Sequence, residues 1–478
     1  MRGALVRCWR GSVRRDLPRR LLLCACCALA ACSLGPRYRR PEVAAPASWA
    51  TDGTAAAQQW PSTDWWRGFA SADLNDLIGQ AQQANDDLRA AIARVQQADA
   101  QRRIAGAPLL PTLDAHADAT RQRSRVPGGG IVTNNDFNPF LNASYVLDFW
   151  GKNRATYAAA AAAARASRFD RTTIELTVMA GVATTYFQAL ELRDRLGIAD
   201  SNLANATRVL HGLELEQRAG VATALDVAQQ QTVVATVNAA IPPLREQLRQ
   251  SLDALAILTG STPEAVEVSN GGLDSLRQPA VQPGVPSELL TRRPDVAAAE
   301  AQLIAANADI AAARAAIFPS INLTADGGYE SSALATLLTP SSRIWSLGAG
   351  LAQPVFQGGA LLGGYALAKA QYQELLANYH KAVISALANV EDALIAVQQT
   401  TEQVSRQLEA TEHARRAYRF AQAQMRAGTI NVLTLLNTET TLFTAEDALA
   451  QAKYARLQSL VSLYQALGGG WRQQDERL

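Results

Sequence analysis

Two distant landmarks in this chain recur at a single offset. Pro111 closes the stretch Arg103-Ile104-Ala105-Gly106-Ala107-Pro108-Leu109-Leu110, and Pro319 closes Ala311-Ala312-Ala313-Arg314-Ala315-Ala316-Ile317-Phe318. Gly220 lies in Arg218-Ala219-Gly220-Val221 and Gly428 in Arg426-Ala427-Gly428-Thr429. Both pairs stand 208 residues apart, which denotes a tandem duplication. The halves run over 72–260 and 294–468, with a linker, 261–293, punctuated by prolines and glycines, and a tail, 469–478.

Each half opens with a helix. Leu74, Leu77, Ala81, Ala84, Leu88, Ala91, Val95 and Ala98 step by three and four as one heptad seam, closed by Pro108 and Pro111. Two strand-like stretches follow, joined by a loop around Pro127-Gly128-Gly129-Gly130. A helix over about 154–218, a break at Gly220 and a helix to about Leu258 complete the half. The second half predicts helix 295–317, strands near 319–330 and 343–356, helix 361–426, a break at Gly428 and a helix to Leu467.

The strands alternate. Leu113, Ala115, Ala117 and Ala119 oppose Asp114, His116, Asp118 and Thr120; Leu141, Ala143, Tyr145 and Leu147 oppose Asn138, Asn142, Ser144 and Asp148. Ile321, Leu323 and Ala325 oppose Asn322, Thr324 and Asp326, while Trp345, Leu347, Ala349 and Leu351 share a face. About 9–13 residues of such alternation suit a transmembrane barrel strand, apolar outward and polar inward. Four half-buried strands of a soluble sheet are the alternative. Four strands cannot close, and lipid does not tolerate an open edge. Two copies give about eight strands and a side-chain-filled interior, whereas three give about twelve and a channel. Helices of roughly 65 residues, at about 1.5 Å each, reach about 100 Å and require neighbours from other subunits.

The 478 residues carry a formal charge of +2, but residues 1–31 contain seven Arg and one Asp. Taking these from the 45 basic and 43 acidic residues leaves 38 and 42, a net charge of −4, which speaks against a nucleic-acid binder. Cys8, Cys24, Cys26, Cys27 and Cys32 are the only cysteines, so the body forms no disulfide and no cysteine-based zinc site. Residues 1–31 read as a signal peptide: arginines, then an apolar run, Leu21 to Ala31, shorter than the about 20 residues that span a bilayer. The long arginine-rich start leaves a start codon downstream of Met1 open. Leu29-Ala30-Ala31-Cys32 resembles a bacterial lipobox, so Cys32 is the expected lipidated residue and 32–71 a lipidated extended segment. Ser33 after the cysteine favours the outer membrane. No later segment offers 18 uncharged apolar residues, so insertion rests on strands or on the lipid.

Several stretches resemble the outer-membrane factors of tripartite efflux systems, the TolC-like channel-tunnel family, in its OprM/NodT-type lipoprotein branch. They are Cys32-Ser33-Leu34-Gly35-Pro36-Arg37-Tyr38-Arg39-Arg40-Pro41, Tyr145-Val146-Leu147-Asp148-Phe149-Trp150-Gly151-Lys152, Leu290-Thr291-Arg292-Arg293-Pro294-Asp295-Val296 and Gln353-Pro354-Val355-Phe356-Gln357-Gly358-Gly359. The resemblance covers Cys32 to about Leu467. It implies an α+β membrane protein: a homotrimer whose twelve-stranded outer-membrane β-barrel, four strands per chain, continues into a long α-helical periplasmic barrel. A periplasmic adaptor and an inner-membrane transporter, of the resistance-nodulation-division type, would deliver small molecules into this passive exit duct, a multidrug-resistance role. A type I secretion duct for polypeptides and a coiled-coil lipoprotein scaffold are the competing readings.

Asp114, His116 and Asp118 share one strand face and are read as lumen lining, since neighbours on one strand rarely converge on an ion. His211, His380 and His413 stand alone on helices. Walker, G-x-S-x-G and H-E-x-x-H patterns are absent, so neither enzyme activity nor a cofactor nor a metal is expected. Arg292-Arg293-Pro294-Asp295 reads as a helix start. By the resemblance, acidic rings line the periplasmic aperture. Asp226 matches such a position, but Thr434 fills the equivalent slot and Asn437 lies three further on, so the ring is thinned. Gly220 and Gly428 read as helix C-caps. The resemblance also places them where adaptor hairpins dock, flanked by Arg218, Val221, Arg426 and Thr429.

Overall fold

The computed structural model describes residues 35–44, 46, 48–49, 60–125, 127–268, 271–279 and 286–472. Residues 1–31 and Cys32 lie outside the described residues. In chain order the elements are α1 (Ala72–Ala84), α2 (Asp86–Gly106), β1 (Thr112–Arg125), β2 (Ile131–Leu147), α3 (Lys152–Arg218), α4 (Ala224–Thr259), α5 (Pro294–Ala315), β3 (Ser320–Tyr329), β4 (Arg343–Ala352), α6 (Ala360–Arg426) and α7 (Val432–Ala466). Short helical turns fill the connections. The 208-residue offset extends to element ends: Lys152 matches Ala360, Arg218 matches Arg426 and Ala224 matches Val432. Yet compaction follows element type, not repeat. One compact unit takes 96–165 and 300–378 with the described residues up to Pro41; the other takes the rest.

The first unit holds the sheet. Its order is β1-β2-β3-β4 with every neighbour antiparallel, so the two strands from each repeat become one surface. Its base is locked by the Asp148-Phe149-Trp150-Gly151 turn. The buried Asp148 carboxylate accepts from the backbone N–H of Asn153 at 2.8 Å and of Arg154 at 2.9 Å, satisfying donors at the start of α3. Trp150 donates to the Pro319 carbonyl at 2.8 Å and stacks on Phe318 at 4.8 Å. The chain from Gly35 to Arg40 runs along α5: Asn307 donates to the Pro36 carbonyl at 3.0 Å, and Tyr38 and Arg40 both reach Glu300.

The second unit is helical. Its core gathers Trp65, Phe69, Phe187 and Tyr464, with Trp65 stacked on Tyr464 at 4.9 Å and Phe69 against Phe187 at 4.9 Å. Arg293 is clamped by Asp295 and donates to the Ala466 carbonyl at 3.2 Å, while Arg292 lies over the Trp60 ring at 4.4 Å. The cluster anchors a helix start.

Two expectations need correction. The seam over 74–98 is not one helix, because Asn85 turns extended and its side chain accepts from the Leu88 N–H at 3.0 Å. Asn85 is thus the cap of α2, followed by Asp86 and Asp87 in the first turn. β1 and β2 also run past the expected ends, to Arg125 and back to Ile131. Alternation continues there in polar residues, which an apolar pattern search passes over.

Candidate functional site

The sheet has two chemically distinct faces, and register alone sorts them. One level reads Asp114, Asn142, Asp326 and Ser346 across the four strands. Asn142 donates to Asp326 at 2.6 Å and Ser346 donates to its other oxygen at 2.7 Å, so a hydrogen-bonded polar row crosses from β2 to β4. His116 lies opposite Phe140 and stacks on it at 4.9 Å; Asp118 lies opposite Asn138. Asp114, His116 and Asp118 therefore share the polar face, each facing a β2 partner. Among the described residues no group of three or more His, Cys, Asp or Glu is placed to hold a metal ion.

The opposite face reads Leu113, Ala143, Ala325 and Leu347 on one level, then Ala115, Leu141, Gly327 and Trp345 on the next. Its large side chains are open: Leu113 is 69% exposed, Trp345 77%, Leu347 75% and Leu351 70%. A contiguous apolar face of this kind requires cover by protein or lipid. Among the described residues β1 and β4 each pair along one side only, leaving two free edges.

The second unit presents two helix-hairpin tips. At each, glycine takes the left-handed conformation, φ +79° at Gly220 and +67° at Gly428. The Val221 N–H bonds the Glu216 carbonyl at 2.9 Å and the Thr429 N–H bonds the Gln424 carbonyl at 3.0 Å, the same helix-ending motif at equivalent places. A Cβ on either glycine would meet nothing within 4 Å, so the dihedral and not crowding within the chain calls for glycine. Arg218, Val221, Arg426 and Thr429 are exposed around them. Leu225, 65% exposed, and Leu433, at 51%, add apolar surface that sequence reasoning missed; their shared 208-residue offset was the available signal. Beneath the tips Leu213, Val227, Val432 and Leu436 pack together, binding one hairpin to the other.

Asp226 is a cap. Its carboxylate accepts from the Thr223 N–H at 2.8 Å and hydroxyl at 2.7 Å, while the Thr223 oxygen accepts from the Asp226 N–H. In the second hairpin the cap residue again accepts from the third backbone N–H, but the hydroxyl changes sides: the Asn431 side chain accepts from the N–H of Thr434 at 3.0 Å and its hydroxyl at 2.7 Å. Thr434 is thus the hydroxyl partner of an amide, and Asn437 stands exposed beyond it. Hydrogen bonds from Thr223 hold the Asp226 carboxyl below its ordinary value. For an acid depressed in the folded state, the stability is present above its unfolded value and lost as pH falls through the folded one. Acidification below the ordinary Asp range should therefore loosen the first tip and leave the second unchanged. Hydrogen exchange of peptides around 216–230 and 424–438, corrected for intrinsic rate, checks this; Asp226→Asn should flatten the response. Equal loosening of both tips would contradict it.

Deeper in this unit Glu439 is fully buried between Gln230 and Tyr418, which approach its two oxygens at 3.4 Å each. Burial pushes its carboxyl upward, and burial and the neighbouring carboxylate push the Tyr418 hydroxyl up to about 12. Gln230 also donates to the Ala206 carbonyl at 2.8 Å, so the cluster ties together α3, α4, α6 and α7.

A family model described as "Outer membrane efflux protein" matches residues 77–261 and 285–469. The chain is 41% identical over 459 residues to the pyoverdine export outer membrane protein OpmQ of Pseudomonas aeruginosa, covering 94% of this chain and 96% of that one. It is 32% identical to the cation efflux system protein CusC of Escherichia coli, over 94% of this chain and 99% of the relative. Among solved structures, that of the outer-membrane channel OprN superposes with a TM-score of 0.87 at 30% identity, covering 92% of this chain and all of the other.

Proposed function

Because the chain belongs to the outer membrane efflux protein family and is an outer-membrane efflux channel, we propose that it works as the passive exit duct of a tripartite pump. The observation that carries this reading is the two-faced open sheet. Its apolar face suits lipid, its polar row suits water, and its free β1 and β4 edges suit pairing with the next copy, β4 to β1. Three copies close a twelve-stranded barrel wide enough for water. The polar row then becomes a ring in which Asp114 and Asp326 recur three times each, and Asp118 adds to the lining. Charged and hydrogen-bonding groups hydrate such a lumen without requiring a catalytic step or a bound cofactor.

Selectivity then rests with the transporter, of the resistance-nodulation-division class, and with a periplasmic adaptor that docks on the hairpin tips at Gly220 and Gly428. Relatives named for pyoverdine export and for cation efflux fit a duct that imposes little chemistry of its own. Asp226 lines the tip aperture as a thinned acidic ring, with Thr434 and Asn437 uncharged. The chain is anchored additionally by lipid on Cys32. Supporting this, Gly35 and Pro36, the first described residues after the lipobox, are held against α5 near its end, close before β3 begins at Ser320.

The test is assembly and transport together. Mass measured in detergent should correspond to three chains, and reconstituted protein should conduct ions in planar bilayers. Deleting the gene should raise sensitivity to small-molecule substrates of the pump. Cys32→Ser should lose incorporation of labelled fatty acid while keeping the trimer, since twelve strands supply the main anchor. A stable monomer without conductance would favour the coiled-coil scaffold instead.

A further inference from the structure

The extended part of the first β-hairpin carries a feature that conduction does not use. β1 pairs with β2 without a bulge from Thr112↔Ser144 to Arg125↔Ile131, so its alternation is unbroken along the whole strand. Leu113, Ala115, Ala117 and Ala119 therefore lie on the same face as Arg121, Arg123 and Arg125. The three arginines are exposed, and their cross-strand partners on that face are Asn135, Thr133 and Ile131, none of them acidic. Asp136, the nearest acid on β2, faces Thr120 and belongs to the other face. On β4 the same succession occurs once: Arg343 lies two residues beyond Trp345 on the apolar face, opposite Tyr329.

An arginine on a lipid-facing surface is costly at the bilayer centre, roughly 2–4 kcal/mol, and nearly free at the interface. Arg121 stands eight residues beyond Leu113, roughly 27 Å along a strand and roughly 20 Å in height at a tilt of about 40°. The outward apolar band of such a barrel is about 25 Å tall, so, counted from Leu113, Arg121 stands within about 5 Å of its upper edge, where a long side chain reaches the headgroups, with Arg123 at the edge and Arg125 above it. Successive arginines on one face are about 7 Å apart along the strand, and each guanidinium offers a planar fork that matches a phosphate.

We infer that Arg121, Arg123 and Arg125 form an outward basic ladder that binds phosphate groups of the acidic glycolipid in the outer leaflet. This rests on the barrel reading above. The ladder fixes the height of the barrel and gathers a collar of phosphorylated lipid around it. The lumen lies on the other face and is untouched.

The test uses the full-length trimer in nanodiscs of zwitterionic lipid, with purified lipopolysaccharide titrated in and bound molecules counted by native mass spectrometry. The variant R121Q/R123Q/R125Q should bind it about 100-fold more weakly, in line with the attraction of three basic side chains to a charged lipid surface. The matching lysine variant should fall between, keeping charge but losing the fork. Dephosphorylated lipopolysaccharide should bind native and variant alike, and millimolar inorganic phosphate should not displace the lipid. Unchanged binding by the glutamine variant, or full displacement by inorganic phosphate, would overturn the inference. Single-channel conductance in bilayers free of lipopolysaccharide separates this from failure of the barrel itself: native and variant should conduct equally. A native protein that never conducts would remove the barrel reading, and the ladder with it.

Discussion

Leu347→Arg is expected to abolish accumulation of the assembled channel in the outer membrane, whereas Ser346→Arg, one residue away, is expected to leave assembly largely intact. Leu347 shares its level with Leu113, Ala143 and Ala325, and lies between Trp345 and Leu351 on the apolar face. An arginine near the middle of that band costs roughly 2–4 kcal/mol per chain, and symmetry triples the cost. That sum exceeds a large part of the typical stability of a folded domain, about 5–15 kcal/mol. Ser346 points into the polar row, where it donates to Asp326 at 2.7 Å. A guanidinium there meets water and a carboxylate, so its effect should appear in conductance and ion preference. Heat-modifiable oligomer on gels, with surface labelling, measures the first; bilayer recordings measure the second. Equal insertion of both variants would show the face assignment to be wrong.

The second large effect is expected at Gly428. A valine must adopt a left-handed dihedral there, at a cost of roughly 1–2 kcal/mol, in a tip that packing of Val432 and Leu436 against Leu213 and Val227 still holds. The trimer should therefore form, while cross-linking to the adaptor drops at least roughly tenfold and efflux falls with it. Asparagine separates two causes, because it tolerates the left-handed region. With Gly428→Asn the cap survives, yet a side chain stands in space that is open in the chain alone, where nothing lies within 4 Å. Reduced cross-linking by Gly428→Asn supports close backbone approach by a partner. Full efflux by that variant, with Gly428→Val still defective, leaves the glycine as a helix cap alone.

Much of this molecule is readable from its residues, and the reasons are specific. The period-two pattern of Ile321 to Tyr329 and of Arg343 to Leu351 marks β3 and β4 because one face must be apolar and the other polar. The shared offset locates both tips, since each needs a glycine at positive φ. What escaped is equally specific. Asn85 interrupts a sound heptad seam because a side-chain cap is a local choice that periodicity cannot register. β1 beyond Thr120 is strand by pairing with β2, although its residues carry no apolar signal. Asp226 is legible as an acid six residues after Gly220, but its bonds to Thr223 emerge only when the loop geometry is known.

The two tips are capped by different side chains, and this has a consequence for symmetry. Both cap residues, Thr223 and Asn431, accept from the backbone N–H three residues on, but the first cap adds the Asp226 carboxylate and the second has only an amide. A ring of tips built from three chains therefore alternates two chemistries and presents a threefold surface in place of a sixfold one.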